Sequence, residues 1–310
     1  MITFDKLKIV ADIQAITVCD ETRFEFIEKD GIVCSLKYYQ EHPFLLMIKV
    51  DYECREVVIE FSGKILGKDY PKLISKDTIL QCFRAIDALG FCKIDVDAMM
   101  DADVVKCDVT KDIPVADVPQ VTDYIRSHIR NYQQYVCRKM RNGNVVVEKN
   151  VLSKKTKKRM TIYDKGKEMQ RSANRPFVEE HGLEDAFSGM CRFELNLDSK
   201  EQIRKSLRIA DTKLMTVLSS DADPISDFLD AAVEPREAVP MTDKKSYLTM
   251  LVLKDCDFDL EKVEAKMRGF SPSRGTSIRD MMKPYKVMME QIGGQQEAAD
   301  VWKEIRRKLT

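Results

Sequence analysis

The sequence predicts an α+β fold: an antiparallel sheet with helices on one face, followed by an all-helical C-terminal module. Three observations carry that expectation. Apolar and polar residues alternate with strand period in several runs of the first two-thirds of the chain. The pairs Asp30-Gly31 and Asn142-Gly143 stand beside such runs as tight-turn signals. From Asp211 onward the alternation gives way to helical spacing, broken at points such as Asp223-Pro224 and Gly293-Gly294. The expected domains are therefore 1–210 and 211–310.

Residues 1–62 read as strands and hairpins. Runs 23–27 and 32–38 flank Lys29-Asp30-Gly31, and runs 45–50 and 56–61 flank a second polar turn. In the last of these Val57, Ile59 and Phe61 share one face, and Val58 and Glu60 the other. Residues 75–89 predict a helix with Ser75 as N-cap, an approximate apolar stripe through Ile79, Leu80, Phe83, Ile86 and Ala88, and Gly90 as its stop. Strand 104–110 sets Val105, Cys107 and Val109 against Lys106, Asp108 and Thr110. A second helix is expected from 117 to about 135, then a turn at Asn142-Gly143 before Val145-Val146-Val147. Strand 159–163 ends on Tyr163 and runs into helix 166–172. After a short helix at 183–187, strand 190–197 alternates Cys191, Phe193, Leu195 and Leu197 with Arg192, Glu194 and Asn196. Ser199 caps a helix reaching about 209, and further helices are expected at 212–218, 225–232, 244–253, 260–267, 277–289 and 295–309. A Pro-containing loop is expected at 234–242.

At 310 residues the chain suffices for one large domain or two ordinary ones. Its 44% apolar and 33% charged residues read as soluble and globular, and no apolar run approaches the ~20 residues of a membrane span. The opening Met-Ile-Thr-Phe-Asp-Lys-Leu-Lys lacks the basic-then-apolar layout of a signal peptide. Nine scattered cysteines without a Cys-x-x-Cys pair point to a reducing cytoplasm and argue against a zinc site. Net charge is zero, so no overall basic field advertises nucleic acid. The charge is local instead: from Arg138 to Glu168 eleven Lys and Arg face three acidic residues. Within that stretch Lys154, Lys155, Lys157, Lys158 and Arg159 lead directly into the tyrosine strand. A solvated hairpin tip would explain such a run equally well by itself. Its position makes these residues, with Arg192, the candidate DNA phosphate contacts.

Separate strands each carry a polar residue opposite their apolar face: Glu60, Asp108, Tyr163 and Glu194. If the strands are neighbours, one face of the sheet presents three carboxylates and a phenol. Glu60, Asp108 and Glu194 would then suit Mg²⁺ or Mn²⁺, hard cations that polarise a phosphodiester oxygen. A phenol titrates near ~10, so Tyr163 needs an activator to attack phosphorus, and Lys165 or a bound cation is the candidate. Taken singly, each residue has a plainer role: packing for Tyr163, an ion pair for Arg192 with Glu194, an edge position for Glu60.

The blocks Val57-Val58-Ile59-Glu60, Lys106-Cys107-Asp108, Ile162-Tyr163-Asp164-Lys165 and Ser188-Gly189-Met190-Cys191-Arg192-Phe193-Glu194 occur in that order. Over about residues 56–200 the series resembles the filamentous-phage gene II/X replication initiators, phage and plasmid nickases. It is similar, more loosely, to rolling-circle plasmid initiators. The resemblance implies an HUH-nickase-like core that cuts one strand of an origin through Tyr163, leaves a 3′-hydroxyl, and later rejoins the displaced strand. It implies Asp108 and Glu194 near the metal, origin duplex and displaced single strand as partners, and a bacterial cytoplasm as the setting. Host helicase or polymerase contacts and a homodimer are compatible with it. Two departures stand out: the usual Arg-x-Asp is Lys106-Cys107-Asp108, and His42, His128 and His181 form no pair. Two rival classes remain open at this level, a non-catalytic origin- or operator-binding protein and a metal-dependent nuclease that uses water.

Overall fold

The computed structural model describes residues 1–129, 134–153, 157–233, 243–269 and 277–309, with the backbone alone for 292–299. Two compact units divide it, Met1–Val233 with Lys308–Thr310, and Glu234–Arg307.

In the first unit the N-terminal strands are β1 (Phe4–Asp12), β2 (Ile16–Val18), β3 (Glu25–Lys29), β4 (Ile32–Gln40), β5 (Leu46–Asp51) and β6 (Glu56–Ser62). They are followed by β7 (Cys92–Ile94), β8 (Asp103–Pro114), β9 (Tyr135–Lys139), β10 (Val145–Lys149), β11 (Arg159–Asp164) and β12 (Met190–Leu197). Ten of them form one antiparallel sheet in the order β3-β4-β5-β6-β1-β8-β12-β11-β10-β9, and β2 pairs with β7 separately. The helices of this unit are α1 (Ile79–Asp87), α2 (Val96–Met100), α3 (Val118–Ser127) and α4 (Lys165–Met169). Next come α5 (Arg175–His181), α6 (Lys200–Leu207), α7 (Leu214–Leu218) and α8 (Pro224–Ala232). The fold is thus α+β around a large antiparallel sheet.

Strand alternation assigns the two faces. Leu7, Ile9, Ile59, Phe61, Cys107, Ile162, Phe193 and Leu195 are fully buried on one side. Phe83 of α1 meets Phe61 there at 6.4 Å between ring centres. Helices α6 and α8 pack on β8 and β12. Helices α7 and α8, expected in the C-terminal module, belong to the first unit because their apolar residues Leu214, Val217, Ile225 and Leu229 are buried there.

Several local expectations change in the folded chain. Strand β1 has no separate place in the sequence reading, yet it is the sheet's centre, between β6 and β8. Helix α3 stops at Ser127, and Tyr135 already opens β9, whose β-favouring Tyr-Val-Cys pairs with β10. Helix α5 ends at Gly182 in the left-handed region, φ 65°, so 183–187 continues as turns that bury Leu183 and Phe187. Gly293-Gly294 does not break the last helix, which runs continuously from Ile278 to Leu309.

The second unit contains α9 (Lys244–Asp255), α10 (Leu260–Arg268) and most of α11 (Ile278–Leu309). Asp243 and Asp259 cap α9 and α10 by accepting from backbone amides of Ser246 and Glu261. Its core joins Met250, Leu253, Cys256, Val263, Met267, Met282 and Met288, a methionine-rich packing tolerant of irregular gaps. Among the described residues no helix is long and apolar enough to cross a membrane.

Candidate active site

The register across β6, β1, β8, β12 and β11 decides which side chains share a face. Tyr163 lies opposite Arg192, which lies opposite Asp112. Asn196 lies opposite Asp108, Asp108 opposite Lys6, and Lys8 opposite Glu60. Because Arg192, Glu194 and Asn196 alternate with buried apolar residues, they point to the side away from the helices of the apolar core. Glu60, Asp108, Tyr163 and Glu194 therefore occupy the same face of one sheet.

That face is not an open floor. Tyr163 is 7% exposed and Arg192 is fully buried. A cover crosses this end, made by the tight-turn segment Gly63–Lys72, α5 and Phe187; its Tyr70, Phe177, Val178, Leu183 and Phe187 pack together. Beneath the cover, the buried charge of Arg192 must be answered by partners. Its Nε and Nη2 donate to the two oxygens of Asp112 at 2.6 and 2.7 Å, and Nη1 donates to Asp5 at 2.7 Å and to the Tyr70 hydroxyl at 2.9 Å. Tyr70 in turn donates to Asp5 at 2.8 Å. Burial pulls Asp5 upward, yet Arg192 and Lys165 outweigh it and hold the carboxyl below its ordinary value.

At the centre, the Tyr163 hydroxyl donates to Glu194 Oε1 at 2.5 Å, and Arg192 Nη1 lies 3.9 Å from the same oxygen. Burial raises the Tyr163 phenol well above its usual value, and the Glu194 charge adds to it. Burial also raises Glu194, to about 7, with Asp5 adding and Arg192, Tyr163 and Lys165 opposing. The pair thus combines a reluctant phenol with a carboxylate whose proton affinity suits neutral pH, the property of a general base. Lys165, 2% exposed, is paired with Glu168 at 2.7 Å, and its ammonium lies 5.0 Å from the Tyr70 ring centre and 5.8 Å from that of Tyr163. It faces the ring of Tyr163 and bonds to Glu168, which Asn174 also holds at 2.7 Å. Lys64 donates to Asn174 at 2.6 Å and completes the chain of charges.

The other two carboxylates have their own partners. Asn196 donates to Asp108 at 2.6 Å, and Lys6 reaches Asp108 at 3.4 Å and Glu60 at 3.9 Å. Lys8 meets Glu60 at 3.3 Å. Burial raises Asp108, against the pull of Lys6 and Asn196. Lysine ammoniums thus already neutralise Asp108 and Glu60, and Tyr163 occupies Glu194, the three carboxylates expected to hold Mg²⁺ or Mn²⁺. Among the described residues no group of three His, Cys, Asp or Glu side chains is arranged to hold a metal ion. The donor set as folded does not fit that cation.

The basic residues separate. Lys157 pairs with Glu148 at 3.0 Å, and Arg159 donates to Asn196 at 2.9 Å, both on the Tyr163 side. Lys158, between them, points to the opposite face, as strand alternation requires. Lys154 and Lys155 lie outside the described residues. Arg192 is enclosed by its carboxylates and acts in this structure as a positioning group.

Sequence reasoning missed Asp5, Lys6, Tyr70, Asp112 and Glu168. Asp112 had a usable signal, since it falls two and four positions beyond Thr110 and Asp108 on the same polar face. Asp5 and Tyr70 carry no such local mark. Comparison with protein-family models, curated proteins and solved structures yields no match to this chain.

Proposed function

We propose that this protein is a DNA nicking and closing endonuclease of the rolling-circle initiator kind, with an HUH-nickase-like core and Tyr163 as nucleophile. The contact between the Tyr163 hydroxyl and Glu194 Oε1, 2.5 Å, carries the proposal. Glu194 takes the phenol proton as the phenol oxygen bonds to phosphorus, and the phosphorus bond to the 3′-oxygen breaks. The departing 3′-oxygen acquires a proton and becomes the primer hydroxyl for a host polymerase. The strand remains as a phosphotyrosine ester, whose energy supports rejoining when a 3′-hydroxyl attacks it and the phenol leaves. Lys165 supplies positive charge near the developing oxyanion in a water-poor site, and Arg192 positions the groups around it through Asp5, Asp112 and Tyr70. Arg159 and Lys157 lie on the same side for the backbone of origin DNA or the displaced strand. The setting is a phage or plasmid replicon in a bacterial cytoplasm.

The test uses supercoiled origin plasmid with Mg²⁺ or Mn²⁺ present. Open circles and a protein–DNA adduct on denaturing gels are expected, and Tyr163→Phe should remove both. Nicking by Tyr163→Phe without an adduct would replace the proposal with a nuclease that uses water. A second reading, a non-catalytic origin binder, is favoured by one observation, the near-complete burial of Tyr163. Plasmid that is bound and never nicked would establish it.

A further inference from the structure

On the opposite face of the sheet from Tyr163, a cavity of about 240 Å³ lies between the β9–β11 edge and helices α6 and α8. Tyr135, Lys149, Lys158, Lys205, Ser206 and Phe228 line it. We propose that this cavity binds the phosphate of a nucleotide, either free or at a single-stranded DNA backbone. The proposal stands apart from the nicking reaction, since none of its residues touches Tyr163 or Glu194.

Charge is the first reason. Lys149, Lys158 and Lys205 line the cavity, Lys158 half-buried and the other two exposed, while its one carboxylate, Asp227, pairs with Arg208 at 2.7 Å. Lys205 has a partner in Glu201 at 2.7 Å. Lys149 and Lys158 have no ion pair among the described residues, although Lys158 is half-buried. Burial lowers the Lys158 amine, Lys149 and Lys205 lower it further, and Asp227 opposes them. Like charges gathered beside low-dielectric walls are unfavourable unless an anion joins them.

The second reason is independent of charge. Ser206 lines the same cavity, and its buried hydroxyl has no hydrogen-bond partner among the described residues, so that a change of side-chain rotamer can turn it to a ligand there. A buried hydroxyl is normally satisfied, and leaving one unpaired is unfavourable. A phosphate oxygen would accept from Ser206 while its neighbours take the lysine ammoniums, which bind phosphate as point charges. The wall opposite is apolar: the Tyr135 and Phe228 rings meet edge to face at 5.7 Å, beside Pro224. That wall suits a sugar or base attached to the phosphate, and it distinguishes a nucleotide from a bare ion. The register explains why the basic run supplies this site. Among the described residues of the run, Lys157 and Arg159 take the Tyr163 side and Lys158 turns inward.

The full chain is titrated with inorganic phosphate, thymidine monophosphate and a short single-stranded oligonucleotide, against sodium chloride at matched ionic strength. Thermal unfolding and isothermal titration are the readouts. Saturable binding is expected, with thymidine monophosphate about tenfold tighter than inorganic phosphate. Lys158→Met and Ser206→Ala should each weaken it by about tenfold, the loss of one hydrogen bond to a charged group. Ser206→Ala removes a hydroxyl that has no partner, so it should unfold at or above the wild-type temperature without ligand and serves as the folded control. Competition between oligonucleotide and thymidine monophosphate identifies DNA as the source, and its absence identifies the free nucleotide. No saturable binding of any probe, or binding indifferent to both substitutions, overturns the proposal.

Discussion

Replacing Glu194 by Gln keeps the side-chain shape and an oxygen to accept from Tyr163, and removes the charge. Burial raises the wild-type carboxyl from 4.5 to about 7. A carboxyl raised on folding holds its proton more tightly in the native state. The native protein therefore binds more protons than the unfolded chain between about pH 4.5 and 7, and stability falls as pH rises through that window. A rise of that size corresponds to about 3 kcal/mol, present at low pH and lost near neutrality. Glu194→Gln never ionises and escapes that loss. Its advantage over wild type should grow by about 3 kcal/mol from pH 4.5 to 8, a Tm gap opening by roughly 6–12 °C for a domain of this size. Melts of both proteins across that range measure it, and subtracting them cancels the other titrating groups. A Tm gap that stays constant or closes with rising pH would refute the assignment of a raised, buried Glu194. The same variant should lose nicking and keep DNA binding, and undiminished nicking would exclude Glu194 as the base.

Other outcomes follow from the same contacts. Arg192→Met strands Asp5 and Asp112 without their guanidinium and should cost about 3–5 kcal/mol in urea unfolding; a cost under about 1 kcal/mol would show that the buried network is not structural. Lys157→Gln with Arg159→Gln should weaken DNA binding and reduce the slope of log K against log salt by about 2. An unchanged slope would remove these residues from the DNA path. Gly67 sits at φ 58°, and a Cβ there would meet the His181 ring at 3.1 Å. Gly67→Ala should therefore cost at least about 1–2 kcal/mol, read as a lower Tm, and an unchanged Tm would mean that the cover yields freely.

How much of this was legible beforehand depends on how local each signal is. The outward placement of Glu60, Asp108, Tyr163 and Glu194 could be read because each strand alternates apolar and polar residues within a few positions. Strand β1 was harder. Its alternation is interrupted where the pairing with β8 shifts between Phe4 and Lys6, near Asp5. The division of the basic run followed from alternation once β11 was known to begin at Arg159. Helices α7 and α8 look like their C-terminal successors in sequence, and only the surface they bury assigns them to the sheet unit.

The chain by itself determined that polar side chains line one sheet face and that a tyrosine shares that face near the end of one strand, because backbone geometry enforces a period of two residues. Only the tertiary structure decided what those side chains meet. Arg192 is buried because Asp5 and Asp112, 187 and 80 positions away, answer its charge. Lys6 comes between Asp108 and Glu60 because β1 is inserted between β8 and β6. Such pairings arise from strand order, which the joint burial of distant apolar faces selects, and no local pattern encodes it.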